Sequence, residues 1–286
     1  MNRRCFTRGI AASVPALTPL FGRQEQGTPP RNQPAQPDPM AGSPEGDPLP
    51  GQKWKVHDRT RPQPRKVAPG TPVATPSAPS DAIVLFDGKD LSKWNGSSRA
   101  APLGEPRWKV ENGYIELVPG AGSLITKESF GDIQLHVEWM TPEGAPPARV
   151  GQSRGNSGIR FMNRYELQVL SSFDNPTYAD GGAGAIYGLY PPMVNPCLPE
   201  GQWNSYDAVF EAPKFEDEKL VKPAFLTLFF NGVVVHNRAQ LLGGTSRLPI
   251  ASYVPHPPEL PLSLQGHSGP ARFRNIWVRR LTGYDA

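Results

Sequence analysis

Several stretches of this chain alternate apolar residues with side chains that can hydrogen-bond or move protons. Within 156–161, Ser157, Ile159 and Phe161 fall on one face of an extended backbone, and Asn156, Gly158 and Arg160 on the other. Tyr165, Leu167 and Val169 leave Glu166 and Gln168 together opposite. Leu262 and Leu264 alternate with Ser263, Gln265 and His267, and Ile133, Leu135, Val137 and Trp139 alternate with Gln134, His136 and Glu138. A histidine and a carboxylate can share proton transfer near neutral pH. Guanidinium and amide groups suit hydroxyl and carbonyl oxygens, and the nearby rings of Tyr187, Tyr190 and Trp203 suit the apolar face of a sugar. A solvated sheet face more usually carries Lys, Glu and Thr. Two readings fit the pattern, a sugar cleft or a decorated outer face of a sheet.

The elements that must position these residues are short strands. Apolar runs at 83–86, 114–118, 132–140, 157–162, 165–170, 206–210, 224–230, 233–236, 260–265 and 273–280 are separated by turn residues. Asn231-Gly232, between a Phe-rich run and Val233-Val234-Val235, predicts a two-residue hairpin. With 35 prolines and 29 glycines in 286 residues, a helical bundle is excluded. No amphipathic helix of useful length and no internal repeat is present. The expectation is an all-β sandwich or barrel. No apolar run is long enough to span a membrane as a helix.

Composition divides the chain. Residues 1–80 hold 11 Lys/Arg against 5 Asp/Glu, whereas 81–286 hold 19 against 21, so the overall charge of +4 belongs to the N-terminal part. The nearly neutral remainder gives no electrostatic reason to expect a nucleic-acid partner. Residues 1–21, opening MNRRCFTR with paired Arg3 and Arg4, read as an export signal of the twin-arginine kind, which places the protein in the periplasm or outside the cell. Residues 22–80 read as an extended linker, with fourteen prolines between Pro29 and Pro79. One island within it, 53–62 with Trp54 and His57, is a candidate docking segment. The remaining domain is 81–286. Its single cysteine, Cys197, reads as a buried apolar group. Gly182, Gly184 and Gly188 lack the strand–helix context of a dinucleotide fingerprint, so no nucleotide cofactor is expected.

The strings LFDGKDLSKW, WKVENG, FGDIQLHVEW, GNSGIRF, RYELQVL, TYADGGAGAIYGLYPPMVN, QWNSYDAVF, NGVVVHN, PLSLQGHSGP and RFRNIWVRRL, in order across 83–281, resemble the 3-keto-disaccharide hydrolase family. That family is associated with 3-keto-glycoside 1,2-lyase and 3-keto-2-hydroxyglucal hydratase activities. WKVHDRTRPQP resembles its exported subgroup. The resemblance implies a concanavalin-like jelly-roll β-sandwich and a 3-keto-sugar substrate supplied by a sugar 3-oxidoreductase. It also implies that His267 acts as base. Glu166 is then either a second acid/base or the ligand of a divalent metal ion. Asn156, Arg160, Gln168 and Gln265 would hold hydroxyls, and Tyr187 and Trp203 would stack.

Two features depart from the family pattern. Gly266 stands where an acidic residue usually separates the Gln and His of the LQxH motif, and Cys197-Leu198-Pro199-Glu200 alters a usual Pro-Gly step. If that acid orients the histidine in the family, its replacement by Gly266 weakens or abolishes activity here. Two other functions compete with the lyase reading. A retaining glycosidase needs two carboxylates about 5–5.5 Å apart, and Glu138 would supply the second only if it lay beside Glu166. A non-catalytic carbohydrate-binding module needs no acid/base pair at all.

Overall fold

The computed structural model describes residues 48–70, 76–98, 101–144, 149–246, 252–267 and 269–283, all within one unit, Gln36–Ala286. The export signal expected over 1–21 and much of the expected linker lie outside the described residues. Alternating sequences of the kind read above bury one face and hydrogen-bond at their edges, and here they build two antiparallel sheets. The six-stranded sheet runs Tyr165–Val169, Ser157–Phe161, Leu260–Leu264, Ser123–Phe130, Trp94–Ser98, Ala101–Gly104. The eight-stranded sheet runs Val233–Gln240, Phe225–Phe230, Asn204–Glu211, Ile133–Met140, Arg272–Arg280, Tyr114–Glu116, Lys109–Glu111, with Ile83–Phe86 also paired to Arg272–Arg280. The layers form a jelly-roll sandwich.

The core lies between the sheets. Ile159, Phe161, Leu167, Val169 and Leu264 project from one, and Leu135, Val137, Trp139, Tyr206, Phe210, Phe230 and Phe273 from the other, all buried. Phe161 stacks on Phe210 with ring centroids 4.7 Å apart, joining the two layers. Asn231 and Gly232 both adopt positive φ, 50° and 76°, the type I′ geometry that the right-handed strand twist favours in a two-residue hairpin.

Residues 48–66, inside the stretch read as linker, lie against the 172–195 region. Leu49, Val56 and His57 are buried. Gln52 Nε2 and Arg61 Nη1 donate to the Leu189 carbonyl at 3.2 and 3.4 Å, and Gln63 Nε2 donates to that of Thr177 at 2.6 Å. Arg65–Lys66 then pairs in parallel with Val194–Asn195. No helix among the described residues is long and apolar enough to cross a membrane.

Candidate active site

The outer face of the six-stranded sheet carries the polar set that alternates with the core. Antiparallel register places Glu166 opposite Arg160 and Gln168 opposite Gly158. Arg160 donates from Nε and Nη2 to Glu166 Oε2 at 3.0 and 2.8 Å. Glu166 is only 4 % exposed. Burial raises its pKa above the usual carboxylate value, and the Arg160 charge opposes this without cancelling it. Gly158 leaves room for the carboxyl in this position, because a Cβ there would lie 2.5 Å from Glu166 Oε1 and force it to shift.

Beyond the end of Leu260–Leu264 the chain stays attached to its neighbours. Gln265 N donates to the Gly158 carbonyl at 2.8 Å, Ser157 Oγ to the Gln265 carbonyl at 2.7 Å, and Gly266 N to Ser123 Oγ at 3.0 Å. His267 follows at the mouth of the site, exposed on one side, with its pKa lowered because the adjoining walls desolvate the imidazolium. A Cβ on Gly266 would run into the Gly122 carbonyl. That carbonyl is itself fixed by the Trp108 indole N–H at 2.8 Å. Backbone therefore fills the place where the family usually has an acid. The segment before His267 is held by the Gln265, Gly266 and Ser157 hydrogen bonds.

The opposite wall is the 182–190 loop, laid along the free edge of Tyr165–Val169. Gln168 N donates to the Ala185 carbonyl, Gly184 N to that of Gln168, and Tyr187 N to that of Glu166, at 2.9, 3.0 and 3.0 Å. His236 Nε2 donates to the Gly184 carbonyl at 2.8 Å, and complete burial pulls this histidine down to about 4, so it stays neutral. From inside the sandwich Tyr206 Oη donates to the Gln168 carbonyl at 2.8 Å. Gln152, which the alternation did not reveal, organises the amides. Its Oε1 accepts from Asn156 Nδ2 and Gln168 Nε2 at 3.0 and 3.1 Å, while its Nε2 donates to Thr177 Oγ1 and the Gly181 carbonyl. Gln168 Oε1 is left buried with no protein donor. An unmet acceptor of this kind costs about 1–3 kcal/mol.

These walls enclose a cavity of about 620 Å³, a size ordinary for a ligand pocket. Asn156, Arg160, Glu166, Gln168, Tyr187, Gln265 and His267 all line it, joined by Ser97, Ser123 and Ser246. Among the described residues, Glu166 is the one carboxylate in this lining.

Trp203 does not line the cavity. It immediately precedes Asn204–Glu211 of the other sheet, where its ring lies 6.0 Å from Tyr114 and beneath the Arg274 guanidinium at 4.1 Å. Its stacking partner is a guanidinium of its own chain. His136 and Glu138 also belong to that sheet. His136 Nδ1 lies 2.6 Å from Asp207 Oδ1, and Glu138 accepts from Arg274 Nε at 2.7 Å and Asn275 Nδ2 at 3.1 Å. Glu138 is thus committed to an ion pair on the opposite sheet and gives Glu166 no second carboxylate. Cys197 is buried, and burial pushes its thiol up to about 12. A divalent cation would need several oxygen or nitrogen donors. Glu166 already faces a fixed guanidinium, and no group of three His, Cys, Asp or Glu converges among the described residues.

Fold and cavity together define a carbohydrate-acting jelly-roll protein. The chain belongs to the 3-keto-alpha-glucoside-1,2-lyase-like domain family, whose model matches residues 81–279. Among solved structures, a proposed glycosyl hydrolase from Parabacteroides distasonis is 40 % identical with a TM-score of 0.68, over 77 % of this chain and 93 % of that one. A second proposed glycosyl hydrolase from the same organism is 19 % identical with a TM-score of 0.52, over 71 % and 94 %. No curated protein matches the chain.

Proposed function

We propose that this protein cleaves 3-keto-glycosides by elimination and rehydration. The observation that supports the reading best is the presence of Glu166 and His267 in one cavity whose lining, among the described residues, has no other carboxylate. Direct glycosidase chemistry needs two. A ketone at C3 makes the C2 hydrogen acidic, so one base suffices to start the reaction.

In this scheme His267 removes the C2 proton and the C2–C3 bond becomes an enediolate. The electron pair then expels the C1 substituent, which is protonated as it leaves. Water adds across the resulting enone, so the net reaction is hydrolysis. Burial favours the uncharged forms of both His267 and Glu166, a free imidazole to accept a proton and a carboxylic acid to donate one. Arg160 lines the same cavity, where its fixed cation would favour the enediolate oxygen. Gln168, Asn156 and Gln265 would take hydroxyls, and Tyr187 would pack on the ring.

The substrate must come from a reaction that oxidises a glycoside at C3, so a sugar 3-oxidoreductase is the proposed upstream partner. The leader MNRRCFTR supports an exported site of action. The test is to incubate the protein with a 3-keto-glucoside and with its unoxidised parent, with and without a chelator. Cleavage of the ketone alone, unaffected by chelator, is expected. Comparable rates on both substrates would refute the mechanism, and loss of activity with chelator would return Glu166 to the role of metal ligand.

A further inference from the structure

The N-terminal strap makes its most buried contact directly behind the sugar cavity. His57 is 2 % exposed and Asp180 0 %. The His57 backbone N–H donates to Asp180 Oδ2 at 2.9 Å, and its Nδ1 lies 3.3 Å from Oδ1, so one carboxylate is engaged through both oxygens. His57 holds a left-handed backbone, φ 56°, an uncommon conformation for a residue with a Cβ, and such strain persists only where surrounding contacts enforce it. Its ring packs 3.9 Å from Tyr178 and 5.1 Å from Tyr187, centroid to centroid. The two tyrosine hydroxyls lie 2.9 Å apart. Tyr187 is a wall of the cavity.

We infer that His57, carried by the 48–66 strap, is a positioning residue for Tyr187. The strap and the tyrosine loop are joined a second time at the backbone. Gly188 N donates to the Asp180 carbonyl at 2.9 Å, and a Cβ on Gly188 would meet Val56 Cγ1 at 3.5 Å and Ser246 O at 3.3 Å, leaving little slack between strap, loop and cavity rim. The ring of His57 meets the cavity wall at Tyr187, the route by which it would act on a bound sugar. In catalysis this inference rests on the 3-keto-glycoside reading; as a statement about Tyr187 it stands apart from it.

The informative variant in the full chain is His57→Asn, because asparagine tolerates the left-handed backbone and can still donate to Asp180 while removing the ring. With a 3-keto-glucoside, KM should rise about fivefold to tenfold, the size of one lost aromatic contact, with kcat and the pH profile unchanged. In a Tyr187→Ala background the same change should add nothing. Tyr178→Phe, which spares the strap and removes the hydroxyl contact, should also raise KM. The activity-independent readout is the ¹⁹F resonance of 3-fluorotyrosine placed at 187. It should move in His57→Asn and Tyr178→Phe and stay put in Lys53→Ala. If the wild type turns over no 3-keto-glucoside, the catalytic reading fails and the ¹⁹F shift still decides the positioning. An unmoved resonance, additive effects in the double variant, or a loss confined to kcat would overturn the inference.

Discussion

Replacing Gly158 with alanine isolates the carboxylate without touching any titratable group. The new Cβ would stand 2.5 Å from Glu166 Oε1 and 2.9 Å from both Cδ and Cγ. An unstrained carbon–oxygen contact is about 3.3–3.6 Å, so the carboxylate must retreat by roughly 1 Å. Its Oε2 is held by Arg160 at 3.0 and 2.8 Å, and a shift of that size breaks at least one of those bonds. Misplacing a catalytic group by about 1 Å costs on the order of 10²-fold in rate. Overpacking of this kind costs about 1–3 kcal/mol in stability. The assay is initial rate on a 3-keto-glucoside together with a thermal melt. Gly70→Ala serves as control, since nothing lies within 4 Å of a Cβ at that glycine. A folded Gly158→Ala protein with near-normal activity would refute the placement of Glu166 in the reaction.

His267→Ala should lower the rate by about 10²–10⁴-fold and leave the melting temperature nearly unchanged. The acid limb of the wild-type kcat/KM profile should lie below 6.5, the direction in which burial moves this histidine, and should vanish in the variant. Gly266→Asp, which restores the acid usual in the family, should lower stability and activity because the Gly122 carbonyl occupies its space; a gain in activity would refute that packing argument. Stability should vary with pH through the outer-face pair. Burial opposes protonation of His136, but Asp207 and Glu138 outweigh it and raise its pKa from 6.5 to about 9; its contribution is complete below 6.5 and is lost as pH rises through 9. Burial likewise opposes ionisation of Glu138, but His136, Arg274 and Asn275 hold it at about 2, so its contribution is complete above 4.5 and is lost toward pH 2. Thermal melts across this range should show the alkaline decline flattened in His136→Asn.

Much of the site could be read from strand parity, because a side chain's face follows from its position alone once the backbone is extended. That is why Asn156, Arg160, Glu166, Gln168, Gln265 and His267 meet. Parity does not say to which sheet a strand belongs. His136 and Glu138 obey the same alternation and lie on the other layer, and Trp203 follows them because sequence proximity to Tyr187 carries no information about sheet order. Gln152 was invisible for a different reason. It sits in a short 3₁₀ turn, Gly151–Ser153, where no periodicity marks its direction. Ser123 and Ser97 come from strands brought in by pairing rather than by pattern. The hairpin at Asn231-Gly232 was legible because its residue types answer a backbone demand. The packing of 48–66 was signalled only by Trp54 and His57 among prolines.

The strand that bears Glu166 and Gln168 is the last of its sheet, and its outer neighbour is a loop, joined by the Gln168, Gly184 and Tyr187 amide bonds and the Ile186 bridges. Such an edge can open as a small cooperative unit while the sandwich stays intact. Hydrogen exchange at these amides then measures the free energy of exposing the site, separately from that of unfolding the domain. Each opening readmits water to Glu166 and returns its pKa toward the ordinary carboxylate value. The upward shift of the Glu166 pKa therefore lasts only as long as the loop stays closed.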